Sequence, residues 1–131
     1  MKAEIIAVGS ELLGPDRVDT NSLFLTEELN KIGIEVVRKT VVGDNRESLR
    51  DAFRDALERV PLVISTGGLG PTQDDLTREA VSDVLGRKLR LRDDLVEHIR
   101  ARFRSFGREM TENNLQQAMV PEGAEPLANS R

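Results

Sequence analysis

Leu62-Val63-Ile64-Ser65-Thr66-Gly67-Gly68-Leu69-Gly70-Pro71-Thr72-Gln73-Asp74-Asp75 is the stretch that decides how this chain is read. It opens on an apolar run, Leu62-Val63-Ile64, with the pattern of a buried strand. Beyond it, Thr77, Ala80, Val81, Val84 and Leu85 share one face of a helical pattern. Glycines therefore stand where a strand hands over to a helix, and two carboxylates stand at that helix's start. Glycine there lets backbone N–H groups approach a phosphate closely, and the helix N-terminus adds partial positive charge. Asp74 and Asp75 would repel a bare phosphate. They make sense with a divalent cation between them and the ligand, so the block reads as a metal-assisted site for a phosphorylated molecule.

The same alternation extends outward. Residues 4–8 are a short apolar run ending at Gly9, a strand followed by a loop over residues 10–18. Asp19, Thr20, Asn21 and Ser22 offer capping side chains to a helix with Leu25, Leu29 and Ile32 as its stripe, and Gly33 stops it. Residues 34–42 are β-branched and predict a second strand. Asp44 with Glu47 resembles a capping box, and the helix after it carries Leu49, Ala52, Phe53, Ala56, Leu57 and Val60 on one face until Pro61. After the helix expected over residues 74–85 comes a basic stretch, residues 87–92, read as a solvated edge. Another helix carries Leu95, Ile99, Phe103 and Phe106 and stops at Gly107. A shorter helix is expected over residues 111–119, before a turn at Pro121-Glu122-Gly123.

Strands alternating with amphipathic helices predict an α/β fold, a parallel sheet covered on both faces. With the first strand central and the second and third on either side, the loops after strands one and three diverge. A ligand binds in the crevice such a reversal creates, at the carboxyl ends of the strands. Gly9-Ser10-Glu11 and residues 66–75 then share that crevice. Glu11, just past a strand's carboxyl end, is a candidate metal ligand or base. No Lys follows the glycines and the first turn lacks G-x-G-x-x-G, so neither a Walker loop nor a dinucleotide fingerprint is present.

Composition narrows the field. The 131 residues suffice for one domain with a real core. A net charge of −4, with no Trp or Tyr, argues against nucleic acid as a partner. The absence of Cys excludes disulfides and thiolate chemistry. His98, on a charged helix, is expected to face solvent and supports no catalytic triad. No apolar span reaches membrane length, so a cytoplasmic protein without a membrane partner is the expectation.

Residues 3–13, Asp19-Thr20-Asn21-Ser22, Val41-Val42-Gly43-Asp44-Asn45 and residues 66–77 together resemble the N-terminal domain of the competence/damage-inducible CinA family. That domain is similar to the molybdopterin-binding fold of MoaB and MogA. The resemblance covers essentially the whole chain, residues 1–131. It implies a three-layer α/β/α sandwich with a mostly parallel sheet. It also implies a metal-dependent pyrophosphatase that hydrolyses ADP-ribose to AMP and ribose 5-phosphate, with a divalent metal and potassium. On that basis Glu11, Asp74 and Asp75 are expected as catalytic and metal residues. Gly9, Ser10, Asn21, Thr66, Gly67, Gly68, Gly70 and Thr72 are expected to bind the ligand.

The alternatives are a molybdopterin-binding nucleotidyltransferase, or a catalytically silent nucleotide- or pterin-binding regulatory module. Two departures accompany the resemblance. The first loop reads Leu12-Leu13-Gly14, where the family more often has a third Leu. The family also usually continues past this length with a second glycine loop, further sheet and a nicotinamide-nucleotide deamidase domain. A truncated domain is therefore expected, one that exposes apolar surface or self-associates as a homo-oligomer.

Overall fold

A computed structural model describes residues 1–128; positions 129–131 of the expected 1–131 domain lie outside the described residues. The expected alternation is present. β1 (Lys2–Val8), α1 (Thr20–Lys31), β2 (Glu35–Val42), α2 (Arg46–Arg59), β3 (Leu62–Thr66) and α3 (Thr77–Leu85) follow one another. Then come β4 (Leu89–Leu91), α4 (Asp93–Ser105) and β5 (Met119–Pro121), with 3-10 segments at Ser10–Leu13 and Glu112–Ala118.

The main sheet runs in the order β2-β1-β3, all parallel, with β1 central, the arrangement on which the shared crevice depends. Buried apolar side chains on both faces mark a strand covered on both sides, and Ala3, Ile5, Ile6, Ala7 and Val8 of β1 are all buried. Side chains alternate across a strand. Ile6 and Val8, with Val42 of β2, meet Leu49, Phe53 and Ala56 of α2 and Ala80 of α3. Ala3, Ile5 and Ala7 point the other way. The crossover through α1 moves to one side of β1 and the crossover through α2 to the other. Right-handed connections therefore put these helices on opposite faces, giving the three-layer α/β/α sandwich with a mostly parallel sheet. Burying a side chain such as Ile6 or Leu49 contributes about 1.5–3 kcal/mol. β4 and β5 form a separate antiparallel pair, and α4 packs against the second 3-10 segment.

Several local expectations need correction. Asn45, not Asp44, caps α2: its side chain accepts from the Ser48 amide at 2.9 Å. Asp44 is turned elsewhere. α3 begins at Thr77 rather than at Asp74, with Leu76 at its cap and no side-chain cap bond. The acidic pair therefore lies in the loop before the helix, not on its first turn. The expected helix over residues 111–119 is a 3-10 segment. Its box is closed by Asn114, whose Oδ1 accepts from the Thr111 amide at 3.1 Å. Ile32 and Phe106, placed on apolar stripes by their spacing, are 71% and 70% exposed because each follows the end of its helix. Val18, Leu23, Phe24 and Val41 are further exposed apolar side chains. No helix among the described residues is long and apolar enough to cross a membrane.

Candidate functional site

The crevice is built where β1 and β3 end side by side, with Ala7 in register with Thr66. The β1 loop is tied to the β2 loop at this end. The Gly9 amide donates to the Val42 carbonyl at 2.9 Å. The Ser10 amide donates to Asp44 Oδ2 at 3.1 Å, and Ser10 Oγ accepts from the Asp44 amide at 2.9 Å. This reciprocal pair explains why Asp44 does not cap α2. Ser10 is thus held in the crevice as a structural tie.

The β3 loop is fixed by other means. Gly67 and Gly68 have φ of 85° and 66°, a backbone region that side chains disfavour. A Cβ on Gly67 would stand 2.1 Å from the Val8 carbonyl oxygen, and one on Gly68 would stand 2.1 Å from Thr77 Oγ1. These two glycines are needed for close packing against β1 and α3. Thr77 Oγ1 donates to the Gly67 carbonyl at 2.9 Å, and the Thr77 amide donates to the Gly68 carbonyl at 3.2 Å. The buried Arg78 guanidinium donates to the Leu69 carbonyl and, at 3.3 Å, to the Gly70 carbonyl. Every carbonyl from Gly67 to Gly70 is therefore taken. Among the described residues the amides of Gly68 and Leu69 donate no hydrogen bond, so the turn presents free donors.

Arg78 is not among the residues singled out from the sequence. A signal was available: a cation in a helix's first turn opposes the macrodipole and calls for a specific partner. Here the partner is the pair of turn carbonyls.

The three expected carboxylates do not converge. Glu11 is exposed, with its carboxylate folded toward its own loop: a Cβ on Gly9 would meet Oε1 at 2.6 Å. Asp74 is also exposed. Asp75 turns inward, and its Oδ2 accepts from the Thr72 amide at 2.9 Å and the Thr72 hydroxyl at 2.7 Å. Partial burial pushes the Asp75 carboxyl up. The Thr72 bonds, the Gly70 amide and the nearby Arg78 charge outweigh it and hold the carboxyl below its ordinary value. Asp75 is a clamp on its own loop, assisted by Gln116 Nε2, which reaches the Thr72 carbonyl at 3.4 Å.

Among the described residues no group of three or more His, Cys, Asp or Glu side chains is placed to hold a metal ion. This corrects the expectation that Glu11, Asp74 and Asp75 bind a divalent metal, with potassium in support. It also corrects the metal-dependent ADP-ribose pyrophosphatase, and the enzyme reading built on it. The physical reason is that Asp75 is turned inward with Oδ2 held by Thr72, while Glu11 and Asp74 are exposed and do not join it in a cluster. Asn21, on the first turn of α1, is exposed, and Thr66 lies at the very end of β3.

Comparison with known proteins agrees with this fold. The family described as "Probable molybdopterin binding domain" matches residues 4–128. The chain is similar to the CinA-like protein of Solibacter usitatus, at 54% identity over 131 residues. That match covers 100% of this chain and 32% of the relative. It is similar to the crystal structure of CinA from Thermoplasma acidophilum, at 37% identity and a TM-score of 0.88. There the match covers 98% of this chain and 75% of that one. The tungsten cofactor synthesizing protein MoaB of Pyrococcus furiosus is 28% identical with a TM-score of 0.58. That likeness covers 80% of this chain and 63% of that one. The chain spans about a third of the length of the curated relatives it matches. On the family match and these likenesses, the chain belongs to the molybdopterin-binding-domain family, in its CinA-like branch.

Proposed function

We propose that this chain is a binding module for a phosphorylated pterin or nucleotide, held at the carboxyl ends of β1 and β3. The observation that carries the proposal is the pair of undonated amides at Gly68 and Leu69, in a turn whose carbonyls are all engaged. Backbone donors fixed in advance bind an anion without losing conformational freedom on contact. The family's description as a molybdopterin-binding domain supports a pterin phosphate as ligand. In this reading the Gly67-Gly68 turn takes the phosphate, with Gly70 and Thr72 shaping the turn. Gly9, Ser10, Asn21 and Thr66 line the remainder of the crevice.

Titration calorimetry with molybdopterin, AMP and ADP-ribose tests this. The expected result is saturable binding of at least one of them, with that ligand recovered intact, and amide shifts at Gly68 and Leu69. A chain that binds none of the three would refute the reading.

A further inference from the structure

A second cavity lies between the glycine turn, α4 and the second 3-10 segment. It is a cleft of about 530 Å³ with Leu69 and Pro71 of the turn in its wall. Arg78, His98 and Arg102 all line it, and no carboxylate does. His98 and Arg102 are four residues apart on α4 and so share a face. Elsewhere this net-acidic chain pairs many of its arginines with carboxylates, as in Arg46–Asp83, Arg59–Glu4 and Arg92–Asp94. Among the described residues the side chains of His98 and Arg102 make no hydrogen bond or ion pair. Arg78 bonds only to the two turn carbonyls, through two of its five N–H donors. Asn114 Nδ2 donates to Gln117 Oε1 at 3.4 Å, which leaves Gln117 Nε2 as a further donor at the cleft. Phe103 supplies an apolar surface beside these groups.

An anion in the cleft would meet the unused donors of Arg78, Arg102 and Gln117, while the carboxylates near Arg78, Asp75 and Glu79, lie outside the lining. We propose that the cleft is an anion site for a phosphorylated small molecule. Arg78, Arg102 and His98 surround the phosphate, and the molecule's apolar part lies against Leu69 and Phe103. The site shares the turn with the one proposed above but uses side-chain donors rather than the Gly68 and Leu69 amides. Either can exist without the other.

The test is nuclear magnetic resonance titration of the full chain with inorganic phosphate and with AMP. Variants are Arg102→Ala, His98→Gln and, as a control, the exposed Arg104→Ala, which lies outside the cleft on the same helix. The proposal expects amide shifts at His98, Arg102 and Gln117. Arg102→Ala should weaken AMP binding there about tenfold, the size of one charge-assisted hydrogen bond. Arg104→Ala should change it less than about twofold. Arg102 is exposed, so its removal leaves the fold intact, as circular dichroism would verify. Shifts confined to residues 67–72 would overturn this proposal while sparing the first. Shifts at α4 alone would do the reverse. Absence of shifts at α4, or an Arg104→Ala loss equal to that of Arg102→Ala, would also overturn it, the latter by showing only a diffuse basic field.

Discussion

Glu4 and Glu11 sit seven residues apart at opposite ends of β1, and they are used in opposite ways. Glu4 is 1% exposed and accepts two hydrogen bonds from Arg59, both at 2.8 Å, with Arg38 nearby at 3.9 Å. The Arg59 bonds outweigh burial and hold its carboxyl below the ordinary value. Glu11 is exposed, and its carboxylate makes no hydrogen bond among the described residues. At the amino end of the sheet the polar groups are closed among themselves. At the carboxyl end the loops are equally fixed, but by backbone carbonyls and by Ser10, Asp44, Thr72, Asp75, Thr77 and Arg78. That arrangement leaves free amides and two exposed carboxylates, Glu11 and Asp74. A buried end with no unmet bonds supplies stability, and an open end with fixed donors supplies recognition.

The contrast can be broken most severely at the point where the open end touches the core. Gly67→Ala forces a Cβ against the Val8 carbonyl, which is backbone of the central strand and cannot swing aside. With the cost of its positive φ added, the variant should lose roughly 3 kcal/mol or more, or fail to fold. Gly14→Ala in the β1 loop meets only an ordinary contact at 3.5 Å. Thermal unfolding of the two variants should differ by about 10 °C. Equal melting temperatures would mean that the turn is not packed against β1.

The next largest effect tests the closed end. Glu4→Gln removes the charge opposite Arg59 and should cost roughly 2–3 kcal/mol near neutral pH. That is below the full price of breaking a buried pair, because Arg59 retains some contact with solvent. The pH dependence has a fixed sign. A carboxyl whose folded value is depressed contributes fully above its unfolded value, and that contribution fades as pH falls toward the folded value. The gap between wild type and Glu4→Gln should therefore be constant above about pH 5 and narrow as pH falls below about 4.3. Denaturant unfolding at several pH values measures it; a gap that widens on acidification would refute the ion pair as the cause.

The smallest effects separate the carboxylates of the open end. Asp75→Ala loses both bonds to Thr72 and should cost about 1–2 kcal/mol. Glu11→Gln should change stability by less than about 0.5 kcal/mol. If Glu11→Gln proved the more destabilising, Glu11 would belong to the framework and the comparison would collapse.

The sequence by itself determined the order of elements from β1 to α3, and the family, but not the β4–β5 pair. Both are written in local patterns: a short apolar strand, a glycine turn and a helical stripe can be read from neighbours in the chain. A central β1 is one arrangement the order of elements allows, since crossovers of fixed hand also permit β1 at an edge, and the tertiary structure decided it. What it alone also decided was where each polar side chain spends its bonds. Asp44 has the spacing of a helix cap, but it lies nearer to Ser10, 34 residues away, than to a useful cap position. Asp75 has the spacing of a metal ligand, but Thr72 and the Gly70 amide already occupy it. Arg78 carries no motif, and its role exists only because the turn folds back over α3. A hydrogen bond is made with whatever group the packed chain brings within about 3 Å, and that distance is set by the fold rather than by separation along the sequence.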